Sequence, residues 1–181
     1  MRSQHPATRY DLFSILLHWL IAVITIGLFA SGIWMVELGY YDTWYYRAPW
    51  WHKSLGVAIF MLVVVRWLWG LFRATPPPIP SISQWQRILA KSVHGMMSLF
   101  ILLLGFSGYL IVTAKGDGLS VFDWFKIPAF FTGNGSRVDL AGTVHLWLGY
   151  LIIACAVFHA LAALKHHFID KDTTLKRMLY P

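Results

Sequence analysis

Charge is scarce in this sequence. Lys, Arg, Asp and Glu make up 13% of its 181 residues, about half the share of roughly 25% usual in soluble domains. So few charges cannot coat the surface of a water-soluble fold of this size. Cysteine is scarcer still: Cys155 is the single thiol, which excludes an intrachain disulfide framework and leaves that residue as a small apolar filler. Low-complexity tracts and internal sequence repeats are also lacking. What replaces charge is apolar bulk: 57% of the residues are hydrophobic and 17% aromatic.

That bulk is organised in four stretches without Asp, Glu, Lys or Arg: Leu12–Val36, Ser54–Val65, Ser92–Ala114 and Leu140–Leu164. The first, third and fourth run 25, 23 and 25 residues, above the roughly 20 needed to cross a bilayer as a helix. The second is broken by Arg66 but stays apolar through Phe72. Little chain is left for a soluble domain. The expectation is therefore one all-α integral membrane domain over residues 1–181, a bundle of four transmembrane helices at approximately 11–36, 52–72, 92–114 and 140–166. The first span carries His18, has an apolar core too long for a secretory signal and is followed by no small-residue cleavage pattern, so it reads as retained.

Loop charge sets the orientation. With alternating spans, one side receives Arg2, Arg9, Arg73, Arg87, Lys91, Lys165, Lys171, Lys176 and Arg177, with three acids. The other receives Arg47, Lys53, Lys115, Lys126 and Arg137, with five acids. Nine bases against five places both termini in the cytoplasm. The same rule accounts for the net charge of +7 without nucleic acid as a partner. Trp44, Tyr45, Tyr46, Trp50 and Trp51 suit the outer interface, and Trp67 and Trp69 the inner one.

The connections differ in kind. Pro49 fits a helix start. Pro76, Pro77, Pro78 and Pro80 make the second loop stiff and extended, with Ser83–Ala90 leading from it into the third span. The third loop, Lys115–Asp139, is the longest. Its glycines imply turns, while Val121–Phe125 and Ala129–Phe131 are apolar enough to lie on the membrane or cover a site.

Histidine carries the chemistry. His145 and His159 stand fourteen residues apart in the last apolar run. That puts their imidazoles within roughly 40° of one helix face and about 21 Å apart along the axis. One then lies near each surface of the bilayer. Ionisable groups inside a membrane are costly and mark function. His52 starts the second span at outer depth, beside His145 in level, so the outer layer holds one pair. The inner layer holds His18, His94 and His159, and depth alone leaves their pairing open. A single histidine near a helix end is usually an interfacial or core hydrogen-bonding group. Five at two matched depths on four helices point to two haems b, each held non-covalently between two imidazoles, since no C-x-x-C-H motif is present. Zinc, copper or nickel would also accept imidazole, but no carboxylate accompanies these residues within the spans.

Arg66 follows His52 by fourteen residues and so faces the bundle interior at inner depth. There it suits a haem propionate or a quinone carbonyl, unless it snorkels to the cytoplasmic surface. Gly56, Gly95, Gly105, Gly149, Ala156 and Ala160 allow close helix packing or room for a flat macrocycle. His5, His166 and His167 fall outside the hydrocarbon, the last two in a polar tail suited to a quinone headgroup or to proton uptake.

These residues resemble the bacterial cytochrome b561 family of small four-helix, two-haem membrane proteins. The resemblance covers the whole chain: SILLHWL in the first span, WHKSLG and VVRWLW bounding the second, the PPPIP loop, SVHG in the third, and VHLWLGYLIIACAVFHALAALKHHFIDKDTTLKRML at the end. Hydrogenase and formate dehydrogenase cytochrome b subunits share a similar plan. The resemblance implies iron ligation by His52 with His145 in the outer haem and by His18 with His159 in the inner one, leaving His94 beside the inner haem or at a quinone site. It also implies a multi-pass protein of the bacterial inner membrane that carries electrons from a periplasmic donor, superoxide being the family-based choice, to membrane quinone. Partners to look for are that quinone, a small donor, a second copy of the chain or a separate redox protein. The rival readings are a membrane anchor relaying electrons between quinone and a periplasmic oxidoreductase, and a histidine-lined metal or proton transporter.

Overall fold

The computed structural model describes residues 9–73 and 76–181; Arg2 and His5 lie outside the described residues. Four long helices follow one another: α1 Leu12–Met35, α2 Arg47–Phe72, α3 Gln84–Thr113 and α4 Gly135–Phe168. All four are long and apolar enough to cross a membrane. Their burial is inverted relative to a soluble protein. Leu16, Val23, Leu71, Phe72, Phe158 and other large apolar side chains are exposed, because lipid rather than protein is to cover them.

α2, α3 and α4 each begin before the charge-free runs do, at residues 47, 84 and 135. Capping chemistry sets the starts of α3 and α4, whereas α2 begins without a side-chain cap. Ser83 accepts from the Gln86 backbone N–H while the Gln86 side chain accepts from the Ser83 N–H, a full capping box that starts α3 about two turns before its charge-free run. Asn134 caps α4 by accepting from Arg137 N–H at 3.3 Å. Asp11 caps α1, taking the Ser14 N–H and hydroxyl at 3.1 and 2.7 Å and the Trp69 indole at 3.4 Å. Burial opposes the Asp11 charge, but these three donors outweigh it and hold its carboxyl below the ordinary range. Pro49 sits in the first turn of α2, where its missing N–H leaves no partner unserved.

α1 packs chiefly on α2, and α3 chiefly on α4; α2 meets α3 between them. α1 touches α4 only sparsely, and α2 and α4 stand diagonally. The packed centre is small: Ile59, Val63, Ile101 and Ile152, joined by Ile21, Ile24, Leu28 and Met97. The tightest crossing is at Gly105, where a Cβ would come within 2.6 Å of the Phe60 ring. Glycine is required there by close approach.

The third loop departs from the all-helical expectation. Leu119–Val121 (β1) and Phe125–Ile127 (β2) pair antiparallel, Val121 opposite Phe125. The turn between them holds Phe122 and Asp123 in the left-handed region, at φ 50° and 59°, where non-glycine residues need fixing from outside. The fixing comes from α2. The Phe122 N–H donates to the wholly buried Ser54 hydroxyl at 3.0 Å, and the Trp50 indole donates to Asp123 at 2.9 Å. The Phe122 ring also rests edge-on against Trp50 and Trp51. Val121–Phe125, expected to lie on the membrane or cover a site, clamps the start of α2.

At the opposite end the C-terminal segment folds back over the bundle. The Trp19 indole donates to Met178 O at 2.8 Å, and Arg177 donates to Pro77 O at 2.8 Å. His166 lies against Asp172 at 2.7 Å and Asp170 at 3.1 Å. Burial works against the Asp172 charge, yet the Thr174 N–H and His166 outweigh it, and the carboxyl lies below the usual range.

Candidate functional site

The five intramembrane histidines fall into two layers, separated by the Ile59, Val63, Ile101, Ile152 core. In the layer near the hairpin, His52 of α2 faces His145 of α4 with ring centres 6.2 Å apart and planes at 64°. In the layer near the termini, His18 of α1 faces His159 of α4, again at 6.2 Å and at 70°. His94 of α3 also reaches His159, but its ring is closer, at 4.9 Å. His18, His52, His145 and His159 are half-buried and His94 is exposed.

These spacings can be tested against ligand geometry. A metal-bound imidazole nitrogen lies about 2.0 Å from its metal, and the ring centre roughly 1 Å further, so two opposed axial imidazoles have centres about 6 Å apart. Both 6.2 Å pairs meet that requirement. The 4.9 Å separation of His94 and His159 is too short for it, and suits an edge-on contact. Each 6.2 Å pair also spans helices that do not pack closely, α2 with α4 and α1 with α4. The paired rings are thus held apart by the spacing of their helices. One turn from His52, Gly56 adds open space, with no atom within 4 Å of where a Cβ would stand.

The two layers differ in what surrounds the rings. His52 Nδ1 lies 3.2 Å from the Ser31 hydroxyl, and His145 Nδ1 lies 3.0 Å from the Ser107 hydroxyl. Among the described residues no group hydrogen-bonds the rings of His18, His94 or His159. Arg66, near the end of α2, belongs to the same end of the bundle. Arg66 is itself half-buried, without an ion pair among the described residues.

A three-ligand ion site is not what the layers offer. The one group of three or more His, Cys, Asp or Glu ligand atoms that converge among the described residues is His166, Asp170 and Asp172, outside the spans. The layers offer opposed pairs, which is what a metal already held by four equatorial nitrogens needs.

A family model described as prokaryotic cytochrome b561 matches residues 9–181. The chain belongs to the prokaryotic cytochrome b561 family. It is 48% identical to cytochrome b561 homolog 2 of Escherichia coli K12 over 171 residues, covering 94% of this chain and 91% of that one. It is 32% identical to a probable superoxide oxidase CybB of Yersinia pestis over 174 residues, 94% and 96% of the two chains. It is also 32% identical to cytochrome b561 homolog 1 of the same E. coli strain over 131 residues, 71% and 72%. Membership makes the chain a multi-pass protein of the bacterial inner membrane and a b-type cytochrome that transfers electrons across it.

The sequence pointed to the histidines but not to the serines. Ser31 and Ser107 look like ordinary small helix residues until α1 and α3 are seen against the next helix. A signal was present: Leu28–Gly32 and Leu104–Gly108 share the pattern L-x-x-S-G. Of the small residues singled out from sequence, Gly105 meets Phe60 and Gly149 meets Phe29, whereas Gly56 and Gly95 face open space.

Proposed function

We propose that this cytochrome b561 moves electrons through two haems b per chain, from a donor on the hairpin side to quinone on the side of the termini. The observation that carries the reading is the repeated 6.2 Å separation of opposed imidazoles, His52 with His145 and His18 with His159. Iron bound at these pairs supplies one-electron redox chemistry that no side chain here supplies. The protein's own work is to hold two sites in line along α4, with an apolar core between them, and to keep water from both.

The excess of bases, nine against five, supports cytoplasmic placement of the termini. The hairpin side then faces the periplasm. It carries Arg47, Lys53, Lys115, Lys126 and Arg137, and Lys53 directly follows His52. Glu37, Asp42, Asp117, Asp123 and Asp139 share that side and balance these five bases, so the attraction for a small anion is local, at Lys53 beside His52. Superoxide is such an anion, and the similarity to a probable superoxide oxidase favours it as donor. On the inner side, exposed His94 beside His159, together with half-buried Arg66, offers an imidazole and a cation to a quinone arriving from the bilayer.

The test is superoxide-driven reduction of the oxidised, purified protein, followed in the haem absorbance. The expected result is reduction much faster than in the His52→Ala/His145→Ala double variant. Equal rates would remove superoxide as donor and leave a partner oxidoreductase in its place.

A further inference from the structure

Two hydroxyls occupy equivalent places against the outer histidines, and their hydrogen-bond arithmetic has one consistent solution. Ser31 Oγ lies 3.1 Å from Leu28 O and 3.2 Å from His52 Nδ1. Ser107 Oγ lies 3.1 Å from Leu104 O and 3.0 Å from His145 Nδ1. A serine hydroxyl has a single proton. If it went to the imidazole, the short contact with the carbonyl would have oxygen lone pairs facing each other with no proton between. If it goes to the carbonyl, Nδ1–H donates to Oγ and both contacts carry a proton. Nε2 is then the bare nitrogen.

We propose that Ser31 and Ser107 are positioning residues that lock His52 and His145 in the Nδ1–H tautomer with Nε2 free to ligate, and that they make the outer imidazoles stronger donors than the inner ones. The proposal rests on the ligand reading above. The glycine after each serine belongs to the same device. A Cβ on Gly32 would come within 3.1 Å of His52 Cε1, and one on Gly108 within 3.3 Å of His145 Cε1. Serine holds the ring and glycine admits it. The pattern L-x-x-S-G occurs in α1 against the histidine of α2, and again in α3 against the histidine of α4. Nothing comparable touches His18 or His159 among the described residues.

An acceptor on Nδ1–H raises the basicity of a ligating imidazole. A more basic pair favours the oxidised metal and lowers its potential. The outer site, with two such acceptors, therefore gives its electron up toward the inner site, which has none.

The experiment uses the full-length protein purified in detergent, with Ser31→Ala, Ser107→Ala and the matching Ser→Thr variants. Haem per chain is counted by pyridine haemochrome, and both midpoint potentials are read by redox titration. Each alanine variant is expected to raise one potential and leave the other unchanged. The expected shift is at least threefold in the reduced-to-oxidised ratio at fixed poise, about 28 mV at 59 mV per tenfold for one electron. Threonine keeps the hydroxyl and its helix carbonyl bond, so it should restore the parent value. Unchanged potentials, equal movement of both, or a threonine variant that behaves like alanine would overturn the proposal. If an alanine variant loses a haem outright, occupancy restored by threonine supports the proposal and occupancy not restored counts against it. Histidine 15N NMR of the reduced protein reads the tautomer directly and does not require haem. A bare Nδ1 at His52 or His145 defeats the inference, whereas a parent protein without haem defeats the ligand reading instead.

Discussion

The two histidine layers share one metal-spacing geometry but are built in opposite ways. At the outer layer the rings are held from behind by Ser31 and Ser107, boxed by Gly32 and Gly108, and the start of α2 is clamped by the 119–127 hairpin. At the inner layer the rings have no such partners. His94 leans on His159, and His94 is exposed. A tightly oriented site suits electron entry from a small molecule that never leaves the surface. An open site, with a spare imidazole and a spare cation, suits a bulky acceptor that must enter from lipid and collect protons. The two histidine pairs thus differ in what stands behind them, serine hydroxyls at one and no hydrogen-bonding group among the described residues at the other.

That contrast can be broken most severely at the ligands. His52→Ala or His145→Ala should leave one haem per chain, with the inner site intact, and His18→Ala or His159→Ala should leave only the outer one; haem quantified per chain decides. His94→Ala should keep both haems while slowing quinone reduction by about tenfold, the effect of losing one hydrogen bond of roughly 1.4 kcal/mol. Loss of a haem in that variant would move His94 into the ligand set. Arg66→Gln should act at the inner side alone, with outer haem reduction by the donor at the parental rate in a stopped-flow trace.

Smaller effects concern the supports. Gly105→Ala drives a methyl into Phe60 and should cost about 1–3 kcal/mol of overpacking, read as a lower midpoint in thermal unfolding. Asp123→Asn weakens the indole bond from Trp50 and should cost roughly 1 kcal/mol, with the change in hydrogen exchange confined to the hairpin and the start of α2. Acid should release the C-terminal clasp. The Asp172 carboxyl is held below its ordinary value, so its contribution is present above the unfolded pKa of about 3.9 and fades as pH falls through the lower folded value. Exchange protection of residues 169–178 should thus drop at acid pH in the parent, and at every pH in Asp172→Asn.

Much of this architecture is legible in the sequence because lipid imposes a simple rule. A charge-free run of more than 20 residues has few alternatives to a spanning helix, and helical periodicity then fixes the depth of every histidine. The helix starts were less legible, since Ser83 and Asn134 carry their helices into charged sequence that a hydropathy argument discards. The hairpin was not legible at all. Its strands are three residues each, and its turn uses Phe122 and Asp123 where a sequence reader looks for glycine. Depth alone left the pairing of the inner layer open, and it was the family resemblance that implied His18 with His159. His18, His94 and His159 share one depth, and only the separations of 6.2 and 4.9 Å distinguish a ligand geometry from an edge-on contact. Ser31 and Ser107 escaped notice because a hydroxyl in an apolar helix satisfies itself on its own backbone, and its second partner belongs to another helix.

The most direct test of the account is the number of haems b bound by the purified parent chain, from a pyridine haemochrome assay with a reduced-minus-oxidised spectrum. Two per chain is the result the paired layers predict. One per chain would contradict the pairing in one layer, and none would contradict electron transfer through these histidines altogether.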